Sequence, residues 1–199
     1  MLTNRNSKLG DKIFNYNLPR TTCIKFRTAL CQKYCYAKSG RFCYKKVKEH
    51  LERQVIETKQ RHFAKLIIAQ LALLKIQVGL KKVRLHSIGD FYSEKYYKQW
   101  NEIAMKNKDI TFLAYTRNPD IDFSKRAKNF KIYFSRDDST RKVNPSLKLN
   151  AYVIDGKELK TLSHMAYVKK FNGRICNSKC HSCSFCFNNE KYNVVFPRR

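Results

Sequence analysis

Apolar residues recur at three- and four-residue intervals through Val47, Leu51, Val55, Phe63, Leu66, Ile67, Leu71 and Leu74, with Lys, Arg, Glu and Gln between them. That spacing predicts one long amphipathic helix, or two in succession, stopped at Gly79 and packed by its apolar stripe against a sheet. The pattern then shortens. Residues 82–87 read as a strand, and Ser93 caps a helix running to about Met105 with Tyr96, Tyr97, Trp100, Ile103 and Ala104 on its buried side. Residues 110–115 form a second strand, 123–129 a short helix, 130–134 a third strand and 151–154 a further apolar run of strand type. Strands separated by helices imply an α/β fold, a parallel sheet with helical crossovers; an α+β meander is the alternative. Residues 1–22 read as an extended lead-in with turns at Gly10-Asp11 and Leu18-Pro19, and 157–170 as a further short helix.

Parallel sheets carry their chemistry at the carboxyl ends of the strands. The first predicted strand is followed by His86, Ser87, Gly89 and Asp90, the second by Thr116, Arg117 and Asn118, the third by Ser135, Arg136, Asp137 and Asp138. His86 and Asp90 are candidate proton-transfer groups. Ser87, Gly89, Asp90, Thr116, Arg117 and Ser135 are candidate ligand-binding residues, since glycine admits close backbone approach and a carboxylate can hold an ammonium or hydroxyl group. A histidine bonded inside the sheet edge and solvated loop arginines are the plain alternatives.

All eight cysteines fall in two groups, C-x7-C-x3-C-x7-C at Cys23, Cys31, Cys35 and Cys43, and C-x3-C-x2-C-x2-C at Cys176, Cys180, Cys183 and Cys186. Such clusters in an intracellular-looking chain point to metal sites more than to disulfides. Structural zinc usually takes paired short knuckles, whereas a cubane iron-sulfur cluster accepts looser loops because its irons are separated corners. Spacing therefore favours two 4Fe-4S clusters, with zinc the alternative at both. Cys176, Cys180 and Cys183 also have radical-SAM spacing, read as fortuitous within a four-cysteine site. The N-terminal loop is the better candidate for an open cluster, with Cys43 either a fourth ligand or an ordinary thiol. His181 lies between two cysteines as a spare ligand.

The charge balance changes the picture of partners. Forty-two Lys and Arg face 15 Asp and Glu, a formal net charge of +27 over 199 residues. A polyanion, DNA or RNA, is the expected partner, set against the bland reading of a lysine-rich solvated surface. Tyr34, Tyr36, Phe42 and Tyr44 interleave with Lys33, Lys38, Arg41 and Lys45, which suits either base stacking or the shielding of a cluster. No secretory pattern opens the chain, and the longest apolar stretch, residues 66–74, is too short for a bilayer. A cytoplasmic single domain is expected: an N-terminal cysteine loop over 1–46, an α/β core over 47–170 and a C-terminal cysteine cluster over 171–199.

Leu9-Gly10, Phe14-Asn15, Leu18-Pro19, Cys23, Cys31-x3-Cys35-Tyr36-Ala37, the block Arg84 to Phe91 and the closing cysteines together resemble the phage and plasmid gene product 88 family. A Cys-Tyr-Ala loop followed by a strand ending in Gly-Asp also looks like a divergent radical-SAM plan, implying a partial barrel in which Gly89 and Asp90 hold the amine of S-adenosylmethionine. The C-x7-C-x3-C spacing and Ile88 before Gly89 depart from that plan. Two functions follow as expectations. One is an iron-sulfur protein of a phage or mobile element, radical-SAM-like, with an open N-terminal and an auxiliary C-terminal cluster. The other is a zinc- or cluster-stabilised nucleic-acid-binding protein without catalysis.

Overall fold

The computed structural model describes residues 1–198 apart from 5, 7 and 156–163, and the side chains of 155, 164, 165, 167, 168 and 198 also lie outside the description. Seven strands form one sheet in the order β1-β2-β3-β4-β5-β7-β6, and every neighbouring pair is parallel. They are β1 (Ile13–Tyr16), β2 (Lys82–Leu85), β3 (Thr111–Thr116), β4 (Phe130–Arg136), β5 (Asn150–Asp155), β6 (Gly173–Ile175) and β7 (Asn193–Arg198). The α/β reading with a parallel sheet holds, and the meander is excluded.

Between β1 and β2 come 3-10 turns, α1 (Ala29–Tyr34), α2 (Lys45–Lys59) and α3 (Phe63–Val78). The predicted long helix is thus two, broken at residues 60–62. Gly79 ends α3 in the left-handed region at φ 61, which glycine adopts without a Cβ penalty. Between β2 and β3, α4 (Glu94–Lys106) starts from Ser93, whose hydroxyl accepts from the Tyr96 amide at 3.2 Å. Tyr96, Tyr97, Trp100, Ile103 and Ala104 are buried as its periodicity requires. After β5 come α5 (His164–Phe171), then α6 (Cys180–Cys183) and α7 (Phe185–Asn188) between β6 and β7. The helix expected over 157–170 agrees with α5 where it is described; 157–163 lie outside the described residues.

Successive strand residues point to opposite faces of a sheet, and here the faces differ in kind. Phe14, Val83, Leu85, Phe112, Ala114, Phe130 and Ile132 join α3 and α4 in the main core. Ile13, Leu113, Tyr133, Ala151 and Val194 face the other way, where Leu9 and Phe187 cover them and Tyr115, Cys176, Cys180 and Cys186 pack alongside. Helices therefore cover one face, and the C-terminal cysteine segment covers the other.

Three expectations are corrected. Residues 1–22 contain β1, a fully buried four-residue strand that shows no alternation to read. Residues 123–129 are turns and not a helix. There, Asn118 and Asp122 accept from the amides of Asp120 and Ser124, at 2.9 and 2.8 Å, and such side-chain bonds compete with helix formation. Finally, β6 and β7 lie beyond the strands the pattern predicted, and Pro197 is accommodated because it pairs past the end of β6.

Candidate functional site

The residues following β1 to β4 converge, with the second sheet face, on a cavity of about 1720 Å³. Cys23, Cys31 and Cys35 line it, and so do Cys176, Cys180, Cys183 and Cys186. Cys43 does not. It is exposed, and its thiol donates to the Lys38 carbonyl at 3.0 Å. The N-terminal loop leaves the carboxyl end of β1, so it does not precede the strand series as the sequence suggested but follows its first member.

Hydrogen bonds between strand ends position that loop. Thr28 caps α1, its hydroxyl accepting from the Cys31 amide at 3.0 Å and donating to Asp137 Oδ2 at 2.6 Å. Asp137, after β4, also lies 2.9 Å from Arg117 Nη1, an ion pair close in distance but not aligned for a hydrogen bond. The Arg117 amide donates to Asp90 Oδ2 at 2.7 Å, while Asp90 Oδ1 accepts from the Phe91 amide at 2.7 Å and from Thr116 Oγ1 at 2.5 Å. Thr22 Oγ1, in the cysteine loop, accepts from the Asp90 amide at 3.1 Å. Asp90 and Asp137 thereby fasten the ends of β2, β3 and β4 to the segment carrying the thiols.

Burial decides the protonation states. It raises Asp90 from the ordinary carboxylate range to about 6, the hydrogen bonds of Thr116, Arg117 and Phe91 pulling the other way. It pushes the Cys23 thiol up to about 12, with the Asp90 carboxylate adding to the effect, and Cys186 up to about 12; Cys31 and Cys180 are raised as well. These thiols hold their protons at neutral pH unless a cation displaces them.

The Gene product 88 family matches the chain over residues 1–189. The chain belongs to that family. The Gene 88 protein of Mycobacterium phage L5 is 32% identical to it over 130 residues, which cover 58% of this chain and 54% of the phage protein. The chain thus matches about half the length of that relative. No solved structure matches it.

In this family member the sequence-predicted residues meet different fates. Ser87, Gly89, Asp90, Thr116, Arg117 and Ser135 all line the cavity. Gly89, at φ 91, is spent on packing: a Cβ there would stand 2.5 Å from Leu18 Cβ and 2.7 Å from the Leu18 carbonyl oxygen. Asp90 has three donors on its two oxygens, leaving acceptor capacity on Oδ2. His86 also reaches the lining, but its ring sits in an aromatic pocket, Nε2 3.1 Å from the Tyr96 hydroxyl and Phe91 edge-on at 4.6 Å. Burial lowers its pKa to about 3, so it is neutral across the physiological range. His181 packs against Gly10, outside the cavity lining.

Among the described residues, no three His, Cys, Asp or Glu side chains are arranged to hold a metal ion, so the two cysteine segments gather at one cavity without a preformed ion site. Nor, among those residues, is any helix long and apolar enough to cross a membrane. The sequence reading gave Arg84 no role. It lies on β2 with its Cζ 5.2 Å from the Tyr115 ring centroid, and the Tyr115 hydroxyl bonds the Cys186 sulfur. A single cation between two core residues, Val83 and Leu85, was the signal available.

Proposed function

We propose that this chain is an iron-sulfur enzyme of a phage or mobile element, radical-SAM-like in plan. Cys23, Cys31 and Cys35 would hold an open cluster, and Cys176, Cys180, Cys183 and Cys186 a closed auxiliary one. The observation that carries the reading is the sorting of the eight thiols: three from the loop after β1 and all four C-terminal ones line one cavity at the strand ends, while Cys43 turns away. The donor set fits. Seven thiols in two loose loops suit clusters whose irons are separated corners, and a site with three cysteines leaves one corner for a small molecule. An open cluster at that corner, once reduced by an external electron donor, would supply an electron to a sulfonium ligand such as S-adenosylmethionine.

The protein's own residues supply binding and exclusion. The free capacity of Asp90 Oδ2 suits an ammonium group, and the Arg117–Asp137 pair keeps Asp137 from competing for it. Tyr36 and Phe42, with ring centroids 5.9 Å apart, wall the N-terminal thiols. The formal charge of +27 favours a polyanionic substrate or partner.

The test is metal and sulfide content of protein purified without oxygen. Roughly eight irons per chain with matching sulfide supports two cubanes. About two zincs with no sulfide would overturn the reading and leave a zinc-stapled binding protein.

A further inference from the structure

α3 is apolar on two sides, and only one of them is covered. Phe63, Ala64, Ile67 and Leu71 face the main core. On the opposite side Leu66, Leu73 and Ile76 are 57%, 58% and 84% exposed, and Ala69 lies exposed between them. A helix that is hydrophobic all round is normally buried all round. The helices beside it follow the ordinary pattern: α4 turns the ion pairs Glu94–Lys98 and Glu102–Lys106 outward, and the exposed residues of α2 include Lys45, Lys48, Glu49, Glu52 and Arg53. The uncovered leucines belong to α3 alone among these three helices, and a contiguous apolar stripe of this kind marks an interaction surface.

Spacing says what would cover it. Residues 66, 69, 73 and 76 are three, four and three positions apart, the a and d series of a heptad, along which one helix packs on another. The series is also palindromic. Leu66 and Ile76 stand at equal distances either side of Leu71, and so do Ala69 and Leu73. A second copy of α3, laid antiparallel about a two-fold axis level with Leu71, therefore sets Leu66 against Ile76 and the small Ala69 against the large Leu73, each contact occurring twice.

Charge agrees with a second copy. The positions flanking the stripe are Lys65 and Ala72 on one side and Gln70 and Gln77 on the other, a single charge in a chain of formal net charge +27. The same arrangement brings the Lys65 ammonium to the Gln77 side-chain carbonyl of the second copy, a donor to an acceptor. Ala72 meets Gln70, whose amide is already engaged with the Leu2 backbone at 2.9 and 3.2 Å. Lys75, the other cation of α3, is paired with Asp109 at 3.2 Å. No like charges meet among these positions. The 16 residues of α3 make a face about 24 Å long and roughly 10 Å wide, which offers on the order of 300 Å², under half the ~800 Å² that each side of a standard interface buries. Association through it is accordingly weak and reversible.

We propose that this face is a self-association surface, two copies pairing through antiparallel α3 helices with Leu66, Ala69, Leu73 and Ile76 as the seam. α3 contributes no residue to the cavity lining, so both cavities stay open in the dimer and the inference is independent of their chemistry.

The full chain, purified without oxygen under reductant and freed of nucleic acid, is followed by sedimentation equilibrium between about 5 and 300 µM at about 50 and 500 mM salt. A monomer–dimer equilibrium is expected, with Kd on the order of 10–100 µM, tightening as salt screens the repulsion between two basic chains. Leu73→Glu brings a carboxylate into the seam from each copy and should weaken it ~10-fold or more, with the melting temperature and iron content of the wild type retained. Should that variant fail to fold, Ile76→Lys, at the more exposed position, carries the test. Register is read from charge. Gln77→Lys sets lysines against each other twice and should weaken the dimer ~3-fold or more; adding Lys65→Glu turns both clashes into ion pairs and restores it. Lys95→Glu, the same charge change at an exposed position on α4, should not. A monomer throughout, a dimer that Leu73→Glu and Ile76→Lys leave intact, or one that dissociates as salt is raised overturns the proposal, the last because it marks a bridging polyanion. Rescue by Lys95→Glu as complete as by Lys65→Glu overturns the antiparallel register. A monomer that sediments with anionic phospholipid vesicles, and loses them in Leu73→Glu, gives the face to a membrane surface and overturns the proposal too.

Discussion

Asp137 Oδ2 accepts a hydrogen bond from Thr28 Oγ1 at 2.6 Å, so the end of β4 holds the first turn of the helix that carries Cys31. The same carboxylate faces Arg117, and the two side chains are only 1% and 12% exposed. Removing one partner of a buried pair leaves the other charged and uncompensated. Asp137→Asn is therefore expected to cost roughly 3 kcal/mol in urea unfolding and to speed amide exchange in α1 before the rest of the fold loosens. A loss under about 1 kcal/mol with unaltered exchange in α1 would show that the pair does not brace the loop.

Gly89 gives a prediction that separates packing from ligand approach. A methyl group there meets Leu18 Cβ at 2.5 Å and its carbonyl oxygen at 2.7 Å, in a backbone conformation of φ 91 that L side chains rarely adopt. Strain and overpacking together should destabilise Gly89→Ala by about 3 kcal/mol. Leu18→Gly removes the Cβ contact but not the carbonyl contact, so relative to that single variant the double variant should recover only part of the loss. Full recovery in thermal melts would mean that the backbone contact is unimportant.

The parts of this fold that the sequence revealed were those with periodicity. α4 could be read because four large residues and Ala104 fall on one helical face, and Ser93 marks its start. β1 could not, because all four of its residues, the polar Asn15 among them, are buried and so short a segment shows no alternation. The two cysteine groups were plain from spacing, but their meeting at one cavity, and the exclusion of Cys43, depend on the sheet's second face, which no local pattern encodes. The position of His86 at a strand end was legible, but its surroundings were not. It follows a strand like a catalytic residue, yet Phe91 and Tyr96, five and ten positions later, return to enclose its ring.

Burial moves Asp90 and His86 in ways that oppose each other between about pH 4 and 6. Asp90, raised to about 6, binds its proton more tightly folded than unfolded, so stability falls as pH rises from its ordinary pKa through 6. His86, lowered to about 3, binds a proton more tightly unfolded, so its contribution is complete above its ordinary pKa near 6.5 and is lost as pH falls toward 3. The wild-type melting temperature should therefore change little from these two groups across pH 4–6. Asp90→Asn removes one slope and should lose stability steeply on acidification, whereas His86→Phe should gain relative stability as pH falls. Parallel profiles for the wild type and both variants would refute the assignment of either group.

Counting metal by variant tests which thiols act together. Cys43 is exposed, bonded to its own loop and absent from the cavity lining, so Cys43→Ser should retain the full iron and sulfide content of the wild type. Cys23, Cys31 and Cys35 line the cavity, and replacing any of them by Ser should remove about four irons while the C-terminal group keeps its own. Cys186→Ser should do the converse and also free the Tyr115 hydroxyl, which bonds the Cys186 sulfur and helps to seat Arg84. That variant should consequently show altered tyrosine fluorescence as well as lost iron. The division of iron between the groups decides the matter: if Cys43→Ser loses as much as Cys23→Ser, the N-terminal site has four protein ligands and no open corner, and the enzyme reading loses its main support.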